Sequence, residues 1–135
     1  MIAIDTSAVI AILQGEPEAA TLLRCISEAD SACLSAVSLQ EASMVLAGRA
    51  RDETAWHELD ALITTYSIAI MPYAEDQALI GRAAFLRFGK GRHAARLNCG
   101  DCASYGLAKK YDIPLLFKGT DFAKTDIVAA LATPA

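Results

Sequence analysis

One pattern constrains this chain more than any other: a short apolar run rich in β-branching stops at polar capping residues, and a helical pattern follows at once. Its first instance is MIAI-DTS-AVIAIL, residues 1–13. The run suits a buried strand, and Asp5-Thr6-Ser7 are residue types that satisfy the free amides of a helix start. Gly15 ends that helix. A chain that keeps alternating in this way is built with right-handed crossovers, which make the sheet mainly parallel and cover both its faces with helices. The expected class is α/β, a three-layer α/β/α sandwich. At 135 residues there is enough chain for one real core and too little for two, so residues 1–135 are read as a single domain without a linker.

The remaining elements follow from the same signals. Glu16-Pro17 opens a helix running to about Ser27, since proline is tolerated in a first turn. Ala32 to Ala36 is the second strand, and Ser38-Leu-Gln-Glu41 has the spacing of a capping box, which would start the next helix there. A helix fits Asp52 to Tyr66, with Trp56, Leu59 and Ile63 on one face. Ser67 to Met71 is strand-like and Pro72 closes it. Ala74 to Phe88 reads as a helix, Gly89-Lys90-Gly91 as a loop, and Asn98 as the cap of a helix ending near Lys110. Pro114 to Phe117 is a strand, Lys118-Gly-Thr-Asp121 the turn beyond it, and Ile127 to Leu131 a last short strand.

Composition narrows the function classes. No apolar stretch approaches the length that spans a bilayer, and the N-terminus lacks a basic leader, so a cytoplasmic protein with no membrane partner is expected. The four cysteines, at 25, 33, 99 and 102, are then reduced thiols by default. A formal charge of −4 argues against a general nucleic-acid coat. Locally the balance reverses: Arg82, Arg87, Lys90, Arg92 and Arg96 are five of the twelve Lys and Arg, packed into fifteen residues, with His93 among them.

The acids are placed more tellingly. Asp5 follows the first strand, Glu41 lies in the first helical turn after the second, Asp101 in the first turn after the basic loop, and Asp121 just past PLLF. In a parallel sheet these positions share the carboxyl edge, where ligands bind. Each acid alone has an ordinary reading as a helix cap, a dipole partner or a turn residue. Capping does not account for their convergence, because four carboxylates on one edge repel one another unless a positive group sits between them. Ligands that are all oxygen suit Mg²⁺ or Mn²⁺ rather than zinc.

The opening MIAIDTSAVIAIL, the S-x-x-E of SLQEA and the stretch LNCGDCASYGLAKKYDIPLLFKGTDFAKTDI, in that order and spacing, resemble a PIN-domain ribonuclease, and within that superfamily the VapC toxins of toxin–antitoxin pairs. The likeness spans nearly the whole chain. It implies a PIN-like fold and makes Asp5, Glu41, Asp101 and Asp121 both catalytic and metal-binding, around one or two Mg²⁺ or Mn²⁺ ions. Asp126, five residues after Asp121, competes with it for the fourth place and otherwise joins Thr6 and Asn98 as a supporting residue. The implied reaction is metal-assisted hydrolysis of RNA phosphodiester bonds by an endoribonuclease, acting on tRNA, rRNA or mRNA and leaving 5′-phosphate and 3′-hydroxyl ends. The resemblance also implies a VapB-type antitoxin that inhibits it, a homodimer joined through apolar helix surface of the N-terminal half, and a larger hetero-oligomer with the antitoxin.

The stretch Cys99-Gly-Asp-Cys102 admits rival readings. Structural zinc needs four ligands, and Cys25, Cys33, His57 and His93 lack the spacing to supply the rest. A redox pair opening a helix is a better rival, but the acid inside the motif raises a thiol pKa that the helix dipole lowers. The thiols are read as small core side chains. Lys90, Arg92 and Arg96 are assigned to RNA phosphates beside the acids, against the alternative of a solvated charged face, and His93 to the loop. An aspartyl-phosphate phosphatase would need a second aspartate where Ser7 stands, and a receiver module would need an acidic pair that is missing. A PIN-like RNA- or protein-binding module without catalysis remains the alternative.

Overall fold

The computed structural model describes residues 1–131. Strand β1 (Ile2–Ile4) leads through Asp5 into α1 (Thr6–Leu13) and α2 (Ala19–Glu28). Strand β2 (Ala32–Ser35) is followed by α3 (Ala36–Leu46) and α4 (His57–Thr65), and β3 (Ala69–Met71) by α5 (Glu75–Phe88) and α6 (Cys99–Tyr111). Strand β4 (Leu115–Leu116) closes a four-stranded, wholly parallel sheet of order β3-β2-β1-β4.

The side-chain alternation of a strand builds the layers. Ile2, Ile4, Ala32, Leu34 and Leu116 point to one face and join the core lined by α1, α2, α3 and α4. Ala3, Cys33 and Leu115 point to the other and meet α5, α6 and Phe122. Strands covered on both faces have no polar side to show, which is why they read as continuous apolar runs. Full burial of Ile4, Leu34, Leu115 and Leu116 contributes about 1.5–3 kcal/mol for each side chain. The architecture is the expected PIN-like α/β/α arrangement around a parallel sheet. Among the described residues no helix is long and apolar enough to cross a membrane.

Several boundaries differ from the expectation. Helix α3 starts at Ala36, not at Ser38, because Ser35 at the end of β2 is already extended (φ −62°, ψ 143°) and its hydroxyl accepts the Val37 N–H. Ser38 and Glu41 therefore form no capping box, and Glu41 lies in the second turn. Helix α2 begins only at Ala19, after Gly15 takes a left-handed φ of 63°. Asp52, expected as the first residue of a helix, is instead its cap, and the first turn, 53–56, is a 3₁₀ turn before α4 proper, with the Trp56 indole donating to the Ser43 carbonyl. The segment 127–131 contributes a single bridge, Ala129 to Leu115, rather than a strand.

Candidate active site

Because all four strands run parallel, the chain leaves β1, β2 and β4 at the same edge of the sheet, and the order β3-β2-β1-β4 puts the reversal of strand order between the paired strands β1 and β4, the place where a crevice opens beyond the carboxyl ends. Asp5 is the next residue after β1 and is buried at 3% exposure. As the cap of α1 it accepts the Ser7 N–H through Oδ2 at 3.0 Å, and through Oδ1 it accepts the Ser104 hydroxyl at 2.5 Å. The alternation that turns Ile4 toward α1 turns Asp5 toward α6 on the opposite face.

Asp101 is fixed by its own helix end. Asn98 caps α6, its Oδ1 accepting the Asp101 N–H at 2.9 Å, while Asp101 Oδ2 accepts the Asn98 N–H at 3.0 Å. This reciprocal pair makes the chain's capping box, and Asp101 is at once cap and site residue. Burial in the first place, then the charges of Asp5, Glu41 and Asp121, push its carboxyl up to about 6, against the opposing hydrogen bond from Asn98. Three acids from three other elements are thus close enough to act on the fourth.

Glu41 reaches α6 at a gap left for it. A Cβ on Gly100 would stand 2.3 Å from Glu41 Oε2 and 2.7 Å from Oε1, so only glycine lets the carboxylate rest against the helix. Asp121 is exposed at the turn after β4. That turn is shaped by Gly119 at φ 96° and anchored by buried Phe122. It is also tied to α1 by the Lys118 N–H donating to Ser7 Oγ at 3.0 Å, and the Lys118 ammonium pairs with Glu16 and Glu18.

Asp126 is placed differently. It accepts the Tyr105 hydroxyl at 2.8 Å and pairs with Lys109 at 3.2 Å and Arg87 at 3.6 Å. Burial alone would raise its carboxyl, but the Tyr105 hydroxyl, Lys109 and Arg87 outweigh it and hold Asp126 below the ordinary carboxylate value. It is not among the charges that act on Asp101, so the structure brings Asp121, and not Asp126, to the group.

The oxygen-rich donor set fits a hard divalent cation. A second feature agrees with it: Thr6 Oγ1 is buried beside Asp5 without a hydrogen-bond partner, a hydroxyl poised for a ligand of the site, since buried polar atoms otherwise find partners. Among the described residues no three acids, cysteines or histidines already surround a common point. Asp5 and Asp101 are turned onto protein donors, which is how mutually repelling carboxylates settle.

The cysteine pair is split by the helix. Cys102 is buried in the core between α5 and α6, and burial, with Asp101 and Cys99, pushes its thiol up to about 11. Cys99 is exposed rather than packed, which corrects the expectation for that residue. Both are free thiols, as are Cys25 and Cys33.

The loop between α5 and α6 is held by Lys90 N–H to Leu97 O and Leu97 N–H to Phe88 O, each 3.0 Å, with Ala95 and Leu97 buried. His93 is structural there, its Nδ1 accepting the Ala95 N–H and its ring standing edge-on to Phe88. Lys90, Arg92 and Arg96 are exposed and, among the described residues, form no ion pair. Arg96 takes a left-handed φ of 56° directly before Leu97 and the Asn98 cap.

Sequence reading missed Gly100 as the seat of Glu41 and missed Ser104, and it gave Ser38 to a helix cap rather than to the buried contact with Ser104. The available signal was small: polar Ser104 within the otherwise apolar buried run Cys102–Ala108, and a glycine in the first turn of a helix.

Comparison with known proteins follows this geometry. The PIN domain family profile matches residues 2–128. Ribonuclease VapC of Mycolicibacterium smegmatis is 44% identical over 126 residues, spanning 93% of this chain and 97% of that protein. Ribonuclease VapC30 of Mycobacterium tuberculosis is 43% identical over 131 residues, 97% and 98% of the two chains. Among solved structures, VapC20 of Mycobacterium tuberculosis, described as a toxin that cleaves the sarcin–ricin loop, superposes with a TM-score of 0.72 at 20% identity over 95% of this chain and 97% of its own. The VapBC2 complex of Rickettsia felis bound to promoter DNA gives 0.74 at 14% identity, over 96% of each chain. These structural likenesses concern the fold.

Proposed function

The chain belongs to the PIN-domain family, among the VapC ribonucleases of toxin–antitoxin systems, and from this premise we propose that it is a metal-dependent endoribonuclease toxin held in check by a VapB-type antitoxin. In this reading residues 1–135 act as one PIN unit, and Asp5, Glu41, Asp101 and Asp121 together hold one or two Mg²⁺ or Mn²⁺ ions. A divalent ion held there would supply an activated water and charge compensation at the phosphate. The observation that carries the reading is the convergence on Asp101, whose carboxyl is lifted to about 6 by burial and then by the charges of Asp5, Glu41 and Asp121.

The chain's own groups have separate tasks. Asn98 fixes the rotamer of Asp101, and the free Thr6 hydroxyl accepts or donates a hydrogen bond to water in the site and so aims it at the phosphorus. Asp126 supports the site at one remove by holding Tyr105 on α6. Lys90, Arg92 and Arg96 take the RNA phosphates that the acids would otherwise repel. No side-chain nucleophile is required, which agrees with His93 being spent on the loop. Exposed Met44 and Val45 on α3 offer apolar surface of the N-terminal half for a homodimer, around which the larger assembly with antitoxin is built.

The test is cleavage of end-labelled RNA, structured tRNA-like substrates included, by antitoxin-free protein in Mn²⁺, Mg²⁺ or EDTA, beside Asp101→Asn. Metal-dependent cutting that is lost in the variant, and suppressed by adding the antitoxin, is expected. No cutting on any substrate together with no Mn²⁺ binding by calorimetry would overturn the proposal.

A further inference from the structure

Beneath the acids runs a buried chain of hydroxyls. Ser104 Oγ donates to Asp5 Oδ1 at 2.5 Å, and Ser38 Oγ lies 3.3 Å from Ser104 Oγ. Both serines are fully buried. A hydroxyl has one proton, and that of Ser104 is given to Asp5, so Ser104 can only accept from Ser38. The direction is therefore set: Ser38 to Ser104 to Asp5.

This chain joins three elements that arrive from far apart in sequence, α3, α6 and the end of β1. Ser38 is three residues before Glu41 on α3, and Ser104 three residues after Asp101 on α6. That spacing puts each serine on the same helical face as its acid. One hydrogen-bonded line thus sets the register between the elements carrying Asp5, Glu41 and Asp101. It also stops rotation of the Asp5 carboxylate, whose second oxygen is held by the Ser7 N–H. A carboxylate oxygen has more than one lone pair, so each remains able to face a cation.

We infer that Ser104, backed by Ser38, is a positioning residue for the cation site: it orients Asp5 and holds α3 and α6 at the separation the acids require. This rests on the metal-site reading above. Removing the Ser104 hydroxyl leaves Asp5 Oδ1 buried without that donor and frees the carboxylate to turn. Loss of a supporting partner of this kind typically weakens metal binding about 10–100-fold.

The experiment is Mn²⁺ binding by calorimetry on the full antitoxin-free chain, with kcat and KM for RNA cleavage, for wild type, Ser104→Ala, Ser104→Thr and Ser38→Ala, each first checked by thermal unfolding. Expected for Ser104→Ala is Mn²⁺ affinity lowered about 10–100-fold and a fall in kcat without change in the RNA KM, with much of the affinity restored in Ser104→Thr. Ser38→Ala should show a smaller loss in the same direction. Wild-type Mn²⁺ affinity in a folded Ser104→Ala overturns the inference while leaving the metal site standing. If Ser104→Ala does not fold, Ser38→Ala decides: lowered affinity supports the relay and unchanged affinity overturns it. A wild type that binds no Mn²⁺ overturns both this inference and the reading beneath it.

Discussion

Replacing Gly100 by alanine separates the site from the fold. The new Cβ would stand 2.3 Å from Glu41 Oε2 and 2.7 Å from its Cδ. The carboxylate, at the end of a flexible side chain, yields before the α6 backbone does. To reach ordinary contact beyond 3.4 Å it must retreat by about 1 Å. A misplacement of about 1 Å among groups that position a reaction costs on the order of 10²-fold, or about 2.7 kcal/mol in the barrier. Stability should barely change, because alanine is favoured over glycine within a helix by up to about 1 kcal/mol, which offsets local crowding. Single-turnover cleavage in Mn²⁺, Mn²⁺ calorimetry and urea unfolding on the same preparations check this. Wild-type cleavage and Mn²⁺ affinity in the variant would refute the assignment of Glu41. A drop in stability well beyond about 1 kcal/mol would show that backbone, not carboxylate, gave way.

Asp101 predicts a pH dependence. Its carboxyl sits at about 6 in the folded chain against an ordinary 3.8, so between these values the native state holds more protons than the unfolded one, and stability falls as pH rises. Metal-free protein should lose stability across that window and level off above it, and Asp101→Asn should flatten the slope, read from urea midpoints between about pH 4 and pH 7. Cys99→Ser with Cys102→Ser should keep metal-dependent cleavage, at some cost in stability for the buried position, and an alkylating agent should modify exposed Cys99 well ahead of Cys102 in the folded protein. Changing Lys90, Arg92 and Arg96 to Gln should weaken RNA binding with little regard to sequence and shallow its salt dependence by about one unit of slope for each phosphate no longer neutralised, without changing Mn²⁺ affinity.

What could be read from the sequence was whatever is decided within a few residues. The handover at Asp5, the Asn98 cap, the turn at Gly119 and the buried apolar runs of β1 and β4 depend on local dihedrals, local hydrogen bonds and two-faced burial, and each was legible. The parallel order of the strands then put Asp5, Glu41, Asp101 and Asp121 on one edge by topology alone. Where a local pattern had two physical uses, only packing chose between them. Ser-x-x-Glu at 38–41 matches a capping box, yet Ser35 had already capped α3, and Ser38 is instead buried against Ser104, sixty-six residues away. Asp126 and Asp121 are indistinguishable as residues near the end of the chain. Tertiary structure gave Asp126 to Tyr105, Lys109 and Arg87 and left Asp121 close enough for its charge to act on Asp101. Cys99 and Cys102 likewise differ only in which side of α6 meets the core. Gly100 acquires its meaning solely from a glutamate fifty-nine positions earlier. Local sequence set the order of the elements and the shared edge; where α2 and α3 begin, which side chains meet at the edge, and what their mutual charge does to Asp101 were decided by long-range packing, because those distances do not exist until the helices close on the sheet.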